Sequence, residues 1–116
     1  MMMGGFEVVI LEEAKRFVLG LQSSARKKVL YNVQRVAKGE QNVELFKKLE
    51  GTSIWEFRTL FNGIQYRLFA FWDTAGETLV IATHGIIKKT QKTPRKEIAK
   101  AEEIRRQYFN NKEKKL

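Results

Sequence analysis

Arg58, Arg67 and His84 stand inside segments that otherwise read as apolar β-strand: Ile54 to Phe61, Ile64 to Asp73, and Thr78 to His84. A desolvated charge is unfavourable without a partner, so an arginine in such a segment calls for something negative to meet it. A guanidinium can hold two phosphate oxygens at once, and an imidazole exchanges protons near neutral pH. These residue types together suit chemistry at a phosphate. Directly after them come Lys88, Lys89 and Lys92, which leave the strand region and lead to a helix start at Thr93-Pro94. A helix N-terminus itself favours anions. A short lysine cluster is unspecific alone, but beside the arginines it extends one positive surface.

Turn chemistry sets the register of these strands. Asn62-Gly63 is a strong hairpin signal because both positions tolerate positive φ. A two-residue loop there pairs Phe61 with Ile64 and puts Arg58 directly opposite Arg67. The next turn lies at Asp73 to Glu77. If Asp73 pairs with Thr78, Arg67 then faces His84. Opposed residues share a sheet face, so Arg58, Arg67 and His84 are expected to form one row, with Glu56 diagonal to Arg67. A bulge in either hairpin would break the row. The plainer alternative makes Glu56 a structural bridge between both guanidinium groups. One carboxylate, however, cannot neutralise two arginines and an imidazolium. His84 alone is weak evidence, and its weight comes from the register.

Around this row the chain supplies a scaffold. Phe6 to Leu11 reads as a strand and Glu12 to Leu21 as a helix, with Ala14, Phe17, Val18 and Leu21 at helical spacing. Ser23-Ser24 caps a second helix to about Lys38, with a stripe of Val29, Leu30, Val33, Val36 and Ala37 and a stop at Gly39. The two form an αα-hairpin covering one sheet face. Val43 to Leu49 reads as a further helical turn. The last helix has Thr93 as N-cap and Pro94 in first position, and turns Ile98, Ala101, Ile104 and Tyr108 to the core. This predicts one domain over residues 1–109, followed by a disordered basic tail over 110–116.

Composition narrows the function classes. A chain of 116 residues supports a single modest core. It has no cysteine and one histidine, which excludes disulfides, thiolate sites and a structural zinc centre, so neither metal nor cofactor is expected. No signal-peptide pattern opens it, and no window approaches the ~18 apolar residues of a membrane span. A cytoplasmic protein is expected. The net charge of +9 is lopsided: residues 85–116 hold eleven Lys/Arg against four Glu, and residues 1–84 hold eleven against nine acids. Such asymmetry fits a surface that meets a polyanion.

Several spaced pieces carry a family resemblance: Leu49-Glu50-Gly51, Trp55-Glu56-Phe57-Arg58, Tyr66-Arg67, His84-Gly85, and Lys88 through Ile98. Together they resemble the RelE/ParE toxin superfamily and, more narrowly, its phage-derived, HigB-like branch. Ile86, where many relatives carry an aromatic residue, is a mild departure. The resemblance implies an α+β fold in which an N-terminal strand and αα-hairpin pack on an antiparallel β-meander with a C-terminal helix. It also implies the toxin of a bacterial toxin–antitoxin pair. RelE-like members enter the ribosomal A site and cleave mRNA there, without metal, by attack of a ribose 2′-OH on the adjacent phosphate.

The implied partners are a cognate antitoxin protein, the ribosome and mRNA, and no membrane. On this reading Arg58 and Arg67 stabilise developing phosphate charge, His84 moves a proton, and Glu56 supports the arginines. Lys88, Lys89 and Lys92 dock RNA backbone, and one of them could serve as general base if its pKa were depressed. Replacing Arg67 by alanine is expected to abolish toxicity and leave the fold intact. Two other classes stay open: a ParE-like gyrase inhibitor, and a non-catalytic nucleic-acid-binding domain.

Overall fold

The computed structural model describes residues 5–89 and 92–114. Eight elements follow one another: β1 (Glu7–Ile10), α1 (Glu12–Leu19), α2 (Ser23–Ala37), β2 (Phe46–Lys48), β3 (Trp55–Phe61), β4 (Ile64–Asp73), β5 (Leu79–Lys88) and α3 (Arg95–Lys114). The strands make one sheet in the order β1-β5-β4-β3-β2. β1 joins β5 in parallel, and every other pair is antiparallel. This is the α+β architecture expected, with the helical hairpin between β1 and the meander.

Strand alternation divides the sheet into two faces. On one, Phe57, Tyr66, Leu68, Ala70, Val80 and Ala82 pack against Ala14 and Val18 of α1 and Val29, Val33 and Val36 of α2. On the other, Ile54, Phe69, Phe71 and Ile81 pack against Ala101, Ile98, Tyr108 and Phe109 of α3. Gly85 is required by the first face. A Cβ there would lie 2.2 Å from the Phe17 ring, so α1 could not approach β5 as closely as it does.

α2 starts at Ser23 with Gln22 in the cap position, Leu30 of its expected stripe is exposed, and four further details differ from expectation. Phe46–Lys48 is a strand, not a helical turn: Phe46 goes into the aromatic core beside Trp55 and Phe57, while Lys47 and Lys48 face solvent. β5 runs four residues past His84, carrying Lys88 into the sheet. α3 continues through Lys114 where a disordered tail was expected from Asn110. Phe109 packs on Phe71 there, and Lys112 Nζ sits 2.7 Å from Asp73 Oδ2. The last two positions of that expected tail, Lys115 and Leu116, lie outside the described residues. Thr93, expected to cap α3, donates its hydroxyl to Glu56 Oε2 at 3.2 Å.

The hairpin registers decide the site. Asn62 and Gly63 both have positive φ, and Arg58 pairs with Arg67 as expected. The β4–β5 register is different. Asp73 pairs with Leu79 rather than Thr78, and a bulge follows: Ala70 pairs with Ala82 but Phe69 with His84, so Thr83 has no partner. These two shifts move Arg67 opposite Ile86. The row through Arg58, Arg67 and His84 is therefore broken by the kind of irregularity that would break it.

Candidate functional site

On the face that α3 partly covers, the register builds three rows. Lys47, Glu56, Phe69 and His84 make the first, Arg58, Arg67 and Ile86 the second, and Leu60, Gln65 and Lys88 the third. His84 shares the arginines' face but sits one row away, diagonal to Arg67. Lys88 lies one row to the other side.

Glu56 is the pivot of the charged group. Its Oε1 lies 3.3 Å from Arg67 Nε and 3.6 Å from Arg58 Nε, yet neither Nε is aligned to hydrogen-bond. The carboxylate bridges both arginines, as the plainer sequence reading held, but only by proximity. Other contacts fix the guanidinium groups. Arg67 Nη1 donates to the Tyr66 carbonyl at 3.1 Å and Nη2 donates to Gln65 Oε1. Arg58 Nη1 donates to the Val43 carbonyl at 3.1 Å. The Arg67 side chain is 3% exposed and that of Arg58 24%, so Arg67 forms the floor and Arg58 the accessible cation.

The electrostatics follow from this crowding. Burial pulls Arg67 below the ordinary arginine value, with Glu56 opposing and Arg58 reinforcing. Lys88 is drawn below the ordinary lysine value, first by burial and then by the charges of Arg67, Arg58 and Lys47, with Glu56 opposing. Two cations, Arg58 and Arg67, thus share one buried carboxylate, and Lys88 adds a third positive charge to the same face. A site so arranged is short of negative charge.

His84 faces elsewhere. It is buried, its ring lies 4.9 Å from that of Phe69, and its Nε2 is 3.1 Å from Glu97 Oε1 of α3. Its Nδ1 is 2.9 Å from Thr83 Oγ1, so the bulge residue holds the second ring nitrogen. Burial lowers the His84 pKa against the pull of Glu97. Lys89 and Lys92 are exposed beyond the end of β5. Thr90 and Gln91, between them, lie outside the described residues. Among the described residues no three His, Cys, Asp or Glu side chains are grouped to hold a metal ion.

Sequence reasoning missed two members of this face. Lys47 stands opposite Glu56 on the edge strand, and the three residues of β2 are too few for alternation to have revealed it. Gln65, two residues before Arg67, becomes visible only once the Asn62-Gly63 register is extended to the residue facing Leu60.

Comparison with known proteins gives two findings. Residues 16–106 match the family described as phage-derived protein Gp49-like (DUF891). A solved chain of the toxin–antitoxin complex RelBE2 from Mycobacterium tuberculosis superposes with a TM-score of 0.53 at 18% identity, over 74% of this chain and 94% of that one. At that identity the likeness establishes a shared RelE-like fold. No curated protein matches the chain in sequence.

Proposed function

The chain belongs to the phage-derived Gp49-like family, and we propose that it is the toxin of a toxin–antitoxin pair, a ribosome-dependent endoribonuclease acting on mRNA. The observation that carries the reading is the sheet face on which Arg58 and Arg67 share the carboxylate of Glu56 while Lys88 adds a third positive charge. The toxin role draws support from the fold shared with a chain crystallised in a toxin–antitoxin complex. A cognate antitoxin is then the protein partner, and the ribosome and mRNA place the activity in the cytoplasm. Among the described residues no helix is long and apolar enough to cross a membrane.

The chemistry is attack of a ribose 2′-OH on its neighbouring phosphate, with the chain's own cations meeting the developing charge. Arg58 is exposed enough to touch phosphate oxygens. Arg67 works from below, holding Glu56 and raising the local positive potential. Lys89 and Lys92 hold the RNA backbone at the end of β5. His84 is assigned a positioning role, because both its ring nitrogens are engaged and it ties β5 to α3.

A translating extract tests the proposal. The purified protein should cut mRNA on ribosomes and leave the same free RNA intact. Inhibition of gyrase in a supercoiling assay without any cleavage would favour the ParE-like alternative. Salt-sensitive binding without cleavage would favour a simple nucleic-acid-binding domain.

A further inference from the structure

We propose that Lys88 is the general base of this site, taking the proton from the attacking 2′-hydroxyl; the assignment rests on the ribonuclease reading above. Lys88 closes β5 opposite Gln65, one row from Arg58 and Arg67 on the same face. Two residues of strand, about 7 Å, and two strand spacings, about 10 Å, separate Lys88 from Arg58, a gap that two long flexible side chains span around a ribose and its phosphate.

The charges that act on Lys88 are those of Arg67 from β4, Glu56 and Arg58 from β3, and Lys47 from β2. Among the described residues it has no ion-pair partner, since Glu56 is already held between the arginines. Partial burial and three neighbouring cations disfavour its ammonium form relative to the free amine, and its pKa is lowered accordingly. The other candidates on this face are less suited. Arginine does not give up its proton in proteins. Glu56 is 2% exposed, sealed under the guanidinium groups, and takes the Thr93 hydroxyl. His84 is buried with both nitrogens engaged.

In the step, the Nζ lone pair takes the 2′-hydroxyl proton, and the freed oxygen pair forms the bond to phosphorus. The bond from phosphorus to the 5′-oxygen breaks, leaving its pair on that oxygen, which takes a proton from water. The products are a 2′,3′-cyclic phosphate and a free 5′-hydroxyl. Lys88 ends as the ammonium and returns its proton to solvent.

The test separates a base from a phosphate anchor. Lys88→Arg keeps the positive charge but cannot accept a proton. It should bind mRNA-loaded ribosomes as the wild type does and cut at least about 100-fold more slowly. Lys88→Ala should lose cleavage and regain part of it with added methylamine. The wild-type rate should rise with pH along a limb that Lys88→Arg lacks. Circular dichroism and melting temperature verify that both variants fold. Cleavage by Lys88→Arg within tenfold of wild type would overturn the assignment, and loss of cleavage in Arg58→Ala alongside it would leave the ribonuclease reading standing. If the wild type cuts no mRNA on ribosomes, the ribonuclease reading fails and the assignment with it.

Discussion

Arg58 and Arg67 are paired across two strands, yet their removal has different consequences. Arg67→Ala would leave the Glu56 carboxylate buried, with Arg58 Nε 3.6 Å away as its remaining cation. Breaking a buried pair from one side costs about 3–5 kcal/mol. Arg58→Ala gives up a partly exposed group and its hydrogen bond to the Val43 carbonyl, about 1 kcal/mol. Urea denaturation should therefore show a large loss of stability for Arg67→Ala and a small one for Arg58→Ala. Equal midpoints would contradict the arrangement around Glu56. The expectation that Arg67→Ala leaves the fold intact is replaced, and Arg58→Ala becomes the cleaner functional variant. The Arg58–Arg67 pairing was legible because a two-residue Asn-Gly loop fixes register from local chemistry alone. The position of His84 was not, because nothing in the Thr83 side chain or its neighbours announces that it will be skipped.

At the scale of elements, α3 is held to the sheet by polar anchors as well as by its apolar side. Asp73, 2% exposed, accepts hydrogen bonds from the Tyr108 hydroxyl and Lys112 Nζ, both at 2.7 Å. Lys112 first, then Tyr108, hold the Asp73 carboxyl below its usual range, while burial and Asp73 push Tyr108 up to about 12. The signs differ. The Tyr108 contribution is fully present below its unfolded value near 10 and is lost as pH rises through about 12. The Asp73 contribution is present above its unfolded value near 4 and is lost as pH falls through the lower folded value. Tyr108→Phe should cost about 1 kcal/mol, speed amide exchange along the last turns of α3, and abolish the alkaline part of this dependence. Unchanged exchange would show that the anchor is idle.

The same scale explains His84-Gly85 as a unit, one residue tying α3 to β5 and the next admitting α1. Gly85→Ala should cost about 1–3 kcal/mol through the Phe17 ring, and Phe17→Leu should recover part of it. If Gly85→Ala melts as the wild type does, the close approach of α1 carries no weight. Helical periodicity made α1, α2 and the core side of α3 readable in the sequence. β2 was not, because three residues are too few to display alternation. The helical extent of 110–114 also escaped, because its anchors, Asp73 and Phe71, lie far away in the chain.

The molecule as a whole puts its helical hairpin on one face of the sheet and its unsatisfied cations on the other, beside a basic helix. Net charge of +9 and the excess over residues 85–116 are consistent with a partner rich in phosphate. What raises this above a generally basic surface is the local imbalance at Glu56, where burial and charge act on the same few groups. That imbalance was only half visible beforehand: the arginines came from the hairpin, and Lys88 joined them because β5 runs on past the bulge.

The most direct measurement is primer-extension mapping of mRNA ends in cells expressing the wild type or Arg58→Ala, with and without a block on translation. Cuts at fixed positions in reading frames, absent when translation is blocked and absent in Arg58→Ala, are the predicted result. Growth arrest by the wild type with mRNA ends unchanged, or the same cuts made by Arg58→Ala, would contradict it.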